Sequence, residues 1–152
     1  MPLSYLVLQA HSGIRWLVLL AGLASVGISF LGWKNKSPWS KGAKIAGSAY
    51  VGLLDLQLLV GLILYAIDPL IHVFWADPAG HMKDGSLRFF AIEHVTFMIL
   101  AVALAHVGSV LARKAVDDEQ KYSRLFFFHV GSFLLLLAGI PWQRLFTPAI
   151  PN

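Results

Sequence analysis

Four stretches almost free of charge constrain this chain more than anything else in it. Residues 16–33 are 18 positions without a charged side chain, 45–67 are 23 with only Asp55, 89–112 are 24 with only Glu93, and 125–143 are 19 with none. A helix needs about 20 apolar residues to cross the hydrocarbon of a bilayer, so each stretch is long enough to span. None alternates apolar and polar residues as the strands of a membrane barrel do. The expected fold is all-α: an integral membrane four-helix up-down bundle forming one domain over 1–152. Its helices are expected over 3–33, 43–67, 87–112 and 124–143. The first is extended to residue 3 because 3–15 are also mostly apolar.

The rest of the composition agrees. Charged residues make up 13% of the chain, about half the roughly 25% of a soluble domain. That is too little polar surface for an ordinary soluble enzyme, a disordered tail or a nucleic-acid module. The net charge of +4 comes from basic residues that flank apolar blocks rather than gather on one face, so no nucleic-acid partner is expected. With no cysteine, disulfides, zinc–thiolate sites, iron–sulfur clusters and covalently attached haem are all excluded.

Two short connections, 34–42 and 113–123, are polar, and a longer one, 68–86, is broken at Asp68-Pro69, Asp77-Pro78 and Asp84-Gly85. The middle of the long connection, Leu70 to Ala76, is apolar and is expected to lie along the membrane surface. Lys34, Lys36, Lys41 and Lys44 flank the first turn and Arg113, Lys114, Lys121 and Arg124 the second. The opposite side has only Lys83, Arg88 and Arg144, with Arg15 just inside the first helix. The positive-inside rule then places both short turns in the cytoplasm and both termini outside. No basic leader precedes the first helix, so a cleaved signal peptide is not expected.

Polar side chains inside spans are functional candidates by default. Four histidines fall into two levels: His11 and His94 near the outer face, His106 and His129 near the inner one. Two imidazoles at one depth on different helices suit the axial ligation of a non-covalent b-type haem. His11 and His94 are the first candidate pair for the haem iron; His106 and His129 would serve a second haem. His94 and His106, 12 residues apart, differ by about 18 Å of rise and about 120° of rotation, so the two pairs would use different grooves. Arg15, one helical turn after His11, is expected to neutralise a haem propionate or to pair with Glu93 or Asp55. Small residues recur every four positions at Ala101, Ala105 and Ser109, and at Ser48 and Gly52, a pattern for close helix packing.

Several strings, taken together, resemble a group of small bacterial four-helix membrane proteins labelled cytochrome b-like. They are His11-Ser12 with Arg15-Trp16, Gln57-Leu58-Leu59 with Gly61 to Tyr65, Met82-Lys83-Asp84, Leu87-Arg88-Phe89, Glu93-His94 and Ile140-Pro141-Trp142. The resemblance implies haem b, electron transfer, and a site at His11, Arg15, Glu93 and His94. Expected partners are the lipid bilayer, a quinone, and other membrane subunits of a respiratory or photosynthetic complex. Two alternatives stay open: a haem-free accessory subunit stabilising a larger membrane complex, and a proton or ion path through the embedded charges. A stand-alone enzyme is the less expected case, since no nucleophile–base set or phosphate loop is present.

Overall fold

The computed structural model describes residues 2–142. Helix α1 spans Leu3–Lys34 and α2 Lys41–Ile67; short helices α3 (Pro69–Ala76) and α4 (Pro78–His81) come next. Helix α5 (Gly85–Arg88) runs through a π-helical turn, Phe89–Glu93, into α6 (His94–Arg113), and α7 is Asp118–Gly139. Four of these helical runs, Leu3–Lys34, Lys41–Ile67, Gly85–Arg113 and Asp118–Gly139, are long and apolar enough to cross a membrane. Arg144 lies outside the described residues, and the last helix ends at Gly139 rather than at the expected 143.

Caps decide where the helices begin. Ser40, Asp68, Asp77, Asp84 and Asp117 each accept a hydrogen bond from a backbone N–H in the following turn, satisfying donors that a helix start leaves unpaired. The last helix therefore starts at Asp118 rather than 124. Its first turn carries Asp118 and Glu119, which suit the positive end of the helix dipole, and the expected turn at 113–123 shortens to 114–117. α1 ends in a Schellman motif: Ser37 N–H reaches the Gly32 carbonyl at 3.0 Å and Lys36 N–H the Trp33 carbonyl at 3.2 Å, with Lys36 left-handed at φ 49°. α7 ends because Ile140 precedes Pro141 and is forced into an extended conformation, φ −75°, ψ 130°.

α1 packs on α2 and α7, and α6 on α7 and, more sparsely, on α2. Ala101 and Ala105 are fully buried between helices with Val18, Tyr50, Leu54 and Leu136, as their four-residue spacing suggests. Ser48 and Gly52 do the opposite: both are exposed, and a Cβ at Gly52 would meet nothing within 4 Å. Within the long connection, Leu70 to Ala76 belong to helix α3, which turns Ile71 and Phe74 inward against Ala91 and leaves Trp75 exposed.

One tyrosine closes the end of the bundle formed by the two short turns. The Tyr122 hydroxyl accepts from Ser40 N–H at 3.0 Å and donates to the Pro38 carbonyl at 3.0 Å, while its ring packs onto Gly32, where no Cβ would fit. Nearby, Trp39 N–H donates to the Asp118 carboxylate at 2.9 Å. Removing the hydroxyl in Tyr122→Phe leaves a donor and an acceptor without their partner, and is expected to cost about 1–3 kcal/mol. Denaturant unfolding in detergent measures this loss.

Candidate functional site

At the opposite end of the bundle, residues of α1, α2, α3, α6 and the end of α7 line a cavity of about 530 Å³, within the roughly 300–1,000 Å³ of small-molecule and cofactor sites. His11 and Arg15 of α1, Gln57 and Gly61 of α2, and His94 of α6 line it, with apolar walls from Val18, Met98, Leu136 and Ile140. The His11 and His94 rings lie 6.2 Å apart, centre to centre, with their planes at 71°. The equal depth read from the sequence thus becomes proximity in space.

His94 is held by the way α7 ends. Pro141 has no N–H and Ile140 has left the helix, so the terminal carbonyls of α7 lack intrahelical donors. Trp142 Nε1–H takes the Leu137 carbonyl at 2.8 Å. The Gly139 carbonyl accepts from His94 Nδ1 at 2.7 Å. A carbonyl only accepts, so the proton is on Nδ1 and the lone pair on Nε2. That is the tautomer in which a histidine binds a metal through Nε2 while its other nitrogen is anchored to backbone.

On the facing helix, Gln57 Nε2–H donates to the His11 backbone carbonyl at 2.9 Å. A Cβ on Gly61 would come within 3.0 Å of His11 Cε1 and 3.4 Å of Nδ1, so the seat of the His11 ring depends on a missing side chain. Three buried side-chain atoms lack a hydrogen-bond partner among the described residues: His11 Nδ1, Arg15 Nε and Gln57 Oε1. All three residues line this one cavity. Leaving such an atom buried and unpaired costs about 1–3 kcal/mol, so the wall of this cavity is polar at three residues whose hydrogen-bonding capacity is unused.

Arg15 has none of the expected carboxylate partners. Its guanidinium lies 5.3 Å from the Trp16 ring centre and makes no ion pair among the described residues. Glu93 instead pairs with Arg88 at 2.7 Å. As the residue before His94 it is turned about 100° from it and does not line the cavity. Asp55 pairs with His106, also at 2.7 Å. The charges that a proton path would string together are therefore split among separate places.

The inner histidine pair is not brought together. His106 is half-exposed against Asp55. His129 is fully buried, its Nε2 3.3 Å from the Ala105 carbonyl and 3.2 Å from Ser109 Oγ. Its Nδ1 is 2.7 Å from Ser25 Oγ. With the Nε2 proton on the carbonyl side, Nδ1 accepts from the Ser25 hydroxyl. His129 ties α1, α6 and α7 together as an interhelical hydrogen-bonding group, and equal depth alone does not reveal that His106 is turned outward to Asp55.

Composition does not single out the π-helical turn Phe89–Glu93 in advance. There His94 N–H donates five residues back, to the Phe89 carbonyl, and the Tyr65 hydroxyl donates to the Ala91 carbonyl at 2.8 Å while accepting from Trp75 Nε1–H at 2.8 Å. Such turns recur at functional sites because the extra residue re-aims the next turn of helix, and that turn begins with His94. The one trace in the sequence is the five-residue spacing of Arg88 and Glu93, which an α-helix would hold about 140° apart.

Among the described residues no group of three or more His, Cys, Asp or Glu could hold a bare metal ion. His11 and His94 would be the residues to hold a metal that brings its remaining donors in its own macrocycle. Metal–imidazole bonds of about 2.0–2.1 Å, taken with the size of the ring, place two imidazoles sharing one metal about 6 Å apart, centre to centre. The observed separation fits that arrangement. Comparison with protein-family models, curated proteins and solved structures gave no match, so the chemistry of the site has to be read from its own residues.

Proposed function

We propose that this chain is a membrane b-type cytochrome-like electron carrier that binds one haem b non-covalently between His11 and His94. The observation that carries the reading is the close pair of imidazoles, 6.2 Å apart, beside a cavity lined by His11, Arg15, Gln57 and His94. When bound, the haem supplies a one-electron iron couple. The chain's own residues supply everything else. His94 is fixed in register by the Gly139 carbonyl and presents Nε2. His11 is seated against Gly61, with Gln57 on its backbone carbonyl. Arg15, a cation without a carboxylate partner at the cavity wall, provides counter-charge for a propionate and relieves its own burial in doing so. Val18, Met98 and Leu136 keep water from the face of the macrocycle, the usual way a protein tunes such a group.

The wider assignment rests on the same physics. The four helices form an up-down bundle in a bacterial inner membrane, with the turns after α1 and α6 cytoplasmic and both termini outside. Electrons come from or go to a lipid-soluble quinone or other membrane subunits of a respiratory or photosynthetic assembly, since the short turns offer little surface to a soluble partner.

The test is the reduced-minus-oxidised visible spectrum of the protein purified from haem-replete cells. The expected result is a b-type α-band. Folded, monodisperse protein without that band would overturn the proposal and leave the haem-free accessory subunit in its place. A finer outcome concerns Gly61. In Gly61→Ala the new methyl meets the His11 ring, and haem affinity is expected to fall about tenfold, the scale of a disturbed ligand support, while helix content by circular dichroism stays the same. Haem titration of the apoprotein measures it.

A further inference from the structure

Asp55 and His106 are joined at 2.7 Å and each is about half-exposed, 49% by side chain. Both sit well inside membrane-spanning helices, Asp55 near the middle of Lys41–Ile67 and His106 within Gly85–Arg113. Polar and ionisable groups at that depth face a bundle interior or a polar partner, because hydrocarbon satisfies neither. Here they face outward, across the sparsely packed α2–α6 groove.

The helix faces around the pair have the pattern of a packing seam. On α2 the exposed positions Ser48, Gly52, Asp55 and Leu59 are spaced 4, 3 and 4 apart, as in helices that pack side by side. On α6, Ile99, Ala103 and His106 are exposed and continue the pattern with spacings of 4 and 3. Ser48, Gly52 and Ala103 are small, as membrane helix interfaces require, and the Gly52 backbone is open to approach.

We propose that this face binds a second copy of the chain, forming a parallel dimer about the α2–α6 groove. Copies inserted with one orientation are related by an axis along the membrane normal, so residues at one depth meet their own counterparts. A lone carboxylate or a lone imidazole there would meet its like. A carboxylate and an imidazole held at the same depth are complementary to their own image instead. After the mutual bond, one carboxylate oxygen and one ring nitrogen per chain have no further partner among the described residues. Across the axis, His106 of each chain, as an imidazolium with N–H on both nitrogens, donates its second N–H to the free carboxylate oxygen of Asp55 in the other, closing an alternating ring of four. This dimer does not depend on haem, and its failure leaves the His11–His94 reading untouched.

The chain has no cysteine, so one introduced thiol reports on one contact. Full-length Gly52→Cys, where a side chain meets nothing within 4 Å, is oxidised in the membranes of the expressing cells. The control is Leu31→Cys on the exposed face of α1. The expected result is a reducible species of twice the chain mass for Gly52→Cys alone, together with dimers of the unmodified protein by sedimentation in mild detergent. Asp55→Leu and His106→Leu are each expected to weaken that dimer about tenfold, at the upper end of interhelical hydrogen bonds in membranes. No cross-link at Gly52, equal cross-linking at both positions, a monomer at all concentrations, or a dimer indifferent to both substitutions would each overturn the proposal.

Discussion

His94→Ala is expected to abolish the b-type spectrum, and His11→Ala to do the same. Each removes one of two imidazoles whose rings lie 6.2 Å apart, and no third histidine lines the cavity. Since loss of a supporting group alone costs 10–100-fold in affinity, loss of a ligand is expected to cost at least about a hundredfold. Arg15→Gln keeps the polar edge but loses the charge, and is expected to cost about tenfold. Glu93→Gln distinguishes the geometric site from the one the family resemblance implies. In the latter Glu93 belongs to the site, whereas the structure pairs it with Arg88 at partial exposure. Its substitution should leave haem affinity unchanged and stability within about 1 kcal/mol. Haem retained per chain after size-exclusion chromatography, with circular dichroism to confirm folding, reads all four variants.

His129→Ala should affect stability and spare the haem. His129 is fully buried, bonded to Ser25 of α1 and to Ser109 and Ala105 of α6, with its ring 5.1 Å from that of Tyr50. Truncation leaves a cavity at the meeting of four helices and strands polar atoms around it. The serines can turn back to carbonyls in their own helices, which limits the second cost. The cavity remains, and a total of about 2–4 kcal/mol is expected. Ser109, its partner on α6, is 15 residues from His94, about 22 Å along the helix. The visible band per folded chain should therefore be unchanged. A variant that folds normally but loses half its haem would restore the inner pair as a second site.

These two outcomes trace the boundary of what the sequence discloses. Height along the membrane normal is legible: counting from the ends of charge-free runs places His11 level with His94, and they meet. Rotation is not. His106 and His129 share a level, yet one faces Asp55 outside the bundle and the other faces the core. Arg15 is expected to find Asp55 or Glu93, but each acid is turned toward a different base. The π-helical turn before His94 accounts for part of this, because one extra residue rotates the rest of the helix by about 100° and leaves hardly a mark in composition. Helix ends are misplaced for a simpler reason. Asp117 caps α7 and draws charged residues into its first turn, whereas an absence of charge marks only where hydrocarbon begins. Gln57 and Gly61 are visible as an embedded amide and a glycine, but their roles depend on His11 lying across from them. Ser48 and Gly52 have the spacing of buried packing residues and are exposed, which is why they bear on assembly rather than on the fold of one chain.

Ligation of one iron by His11 and His94 is probed most closely by the ferric electron paramagnetic resonance spectrum of the purified protein, with the spins counted per chain. Were His11 and His94 to hold one haem iron with their planes 71° apart, the low-spin signal would be stretched far toward low field. One such strongly anisotropic low-spin centre per chain is the expected spectrum. A high-spin signal, or a folded chain with no haem iron, would contradict it.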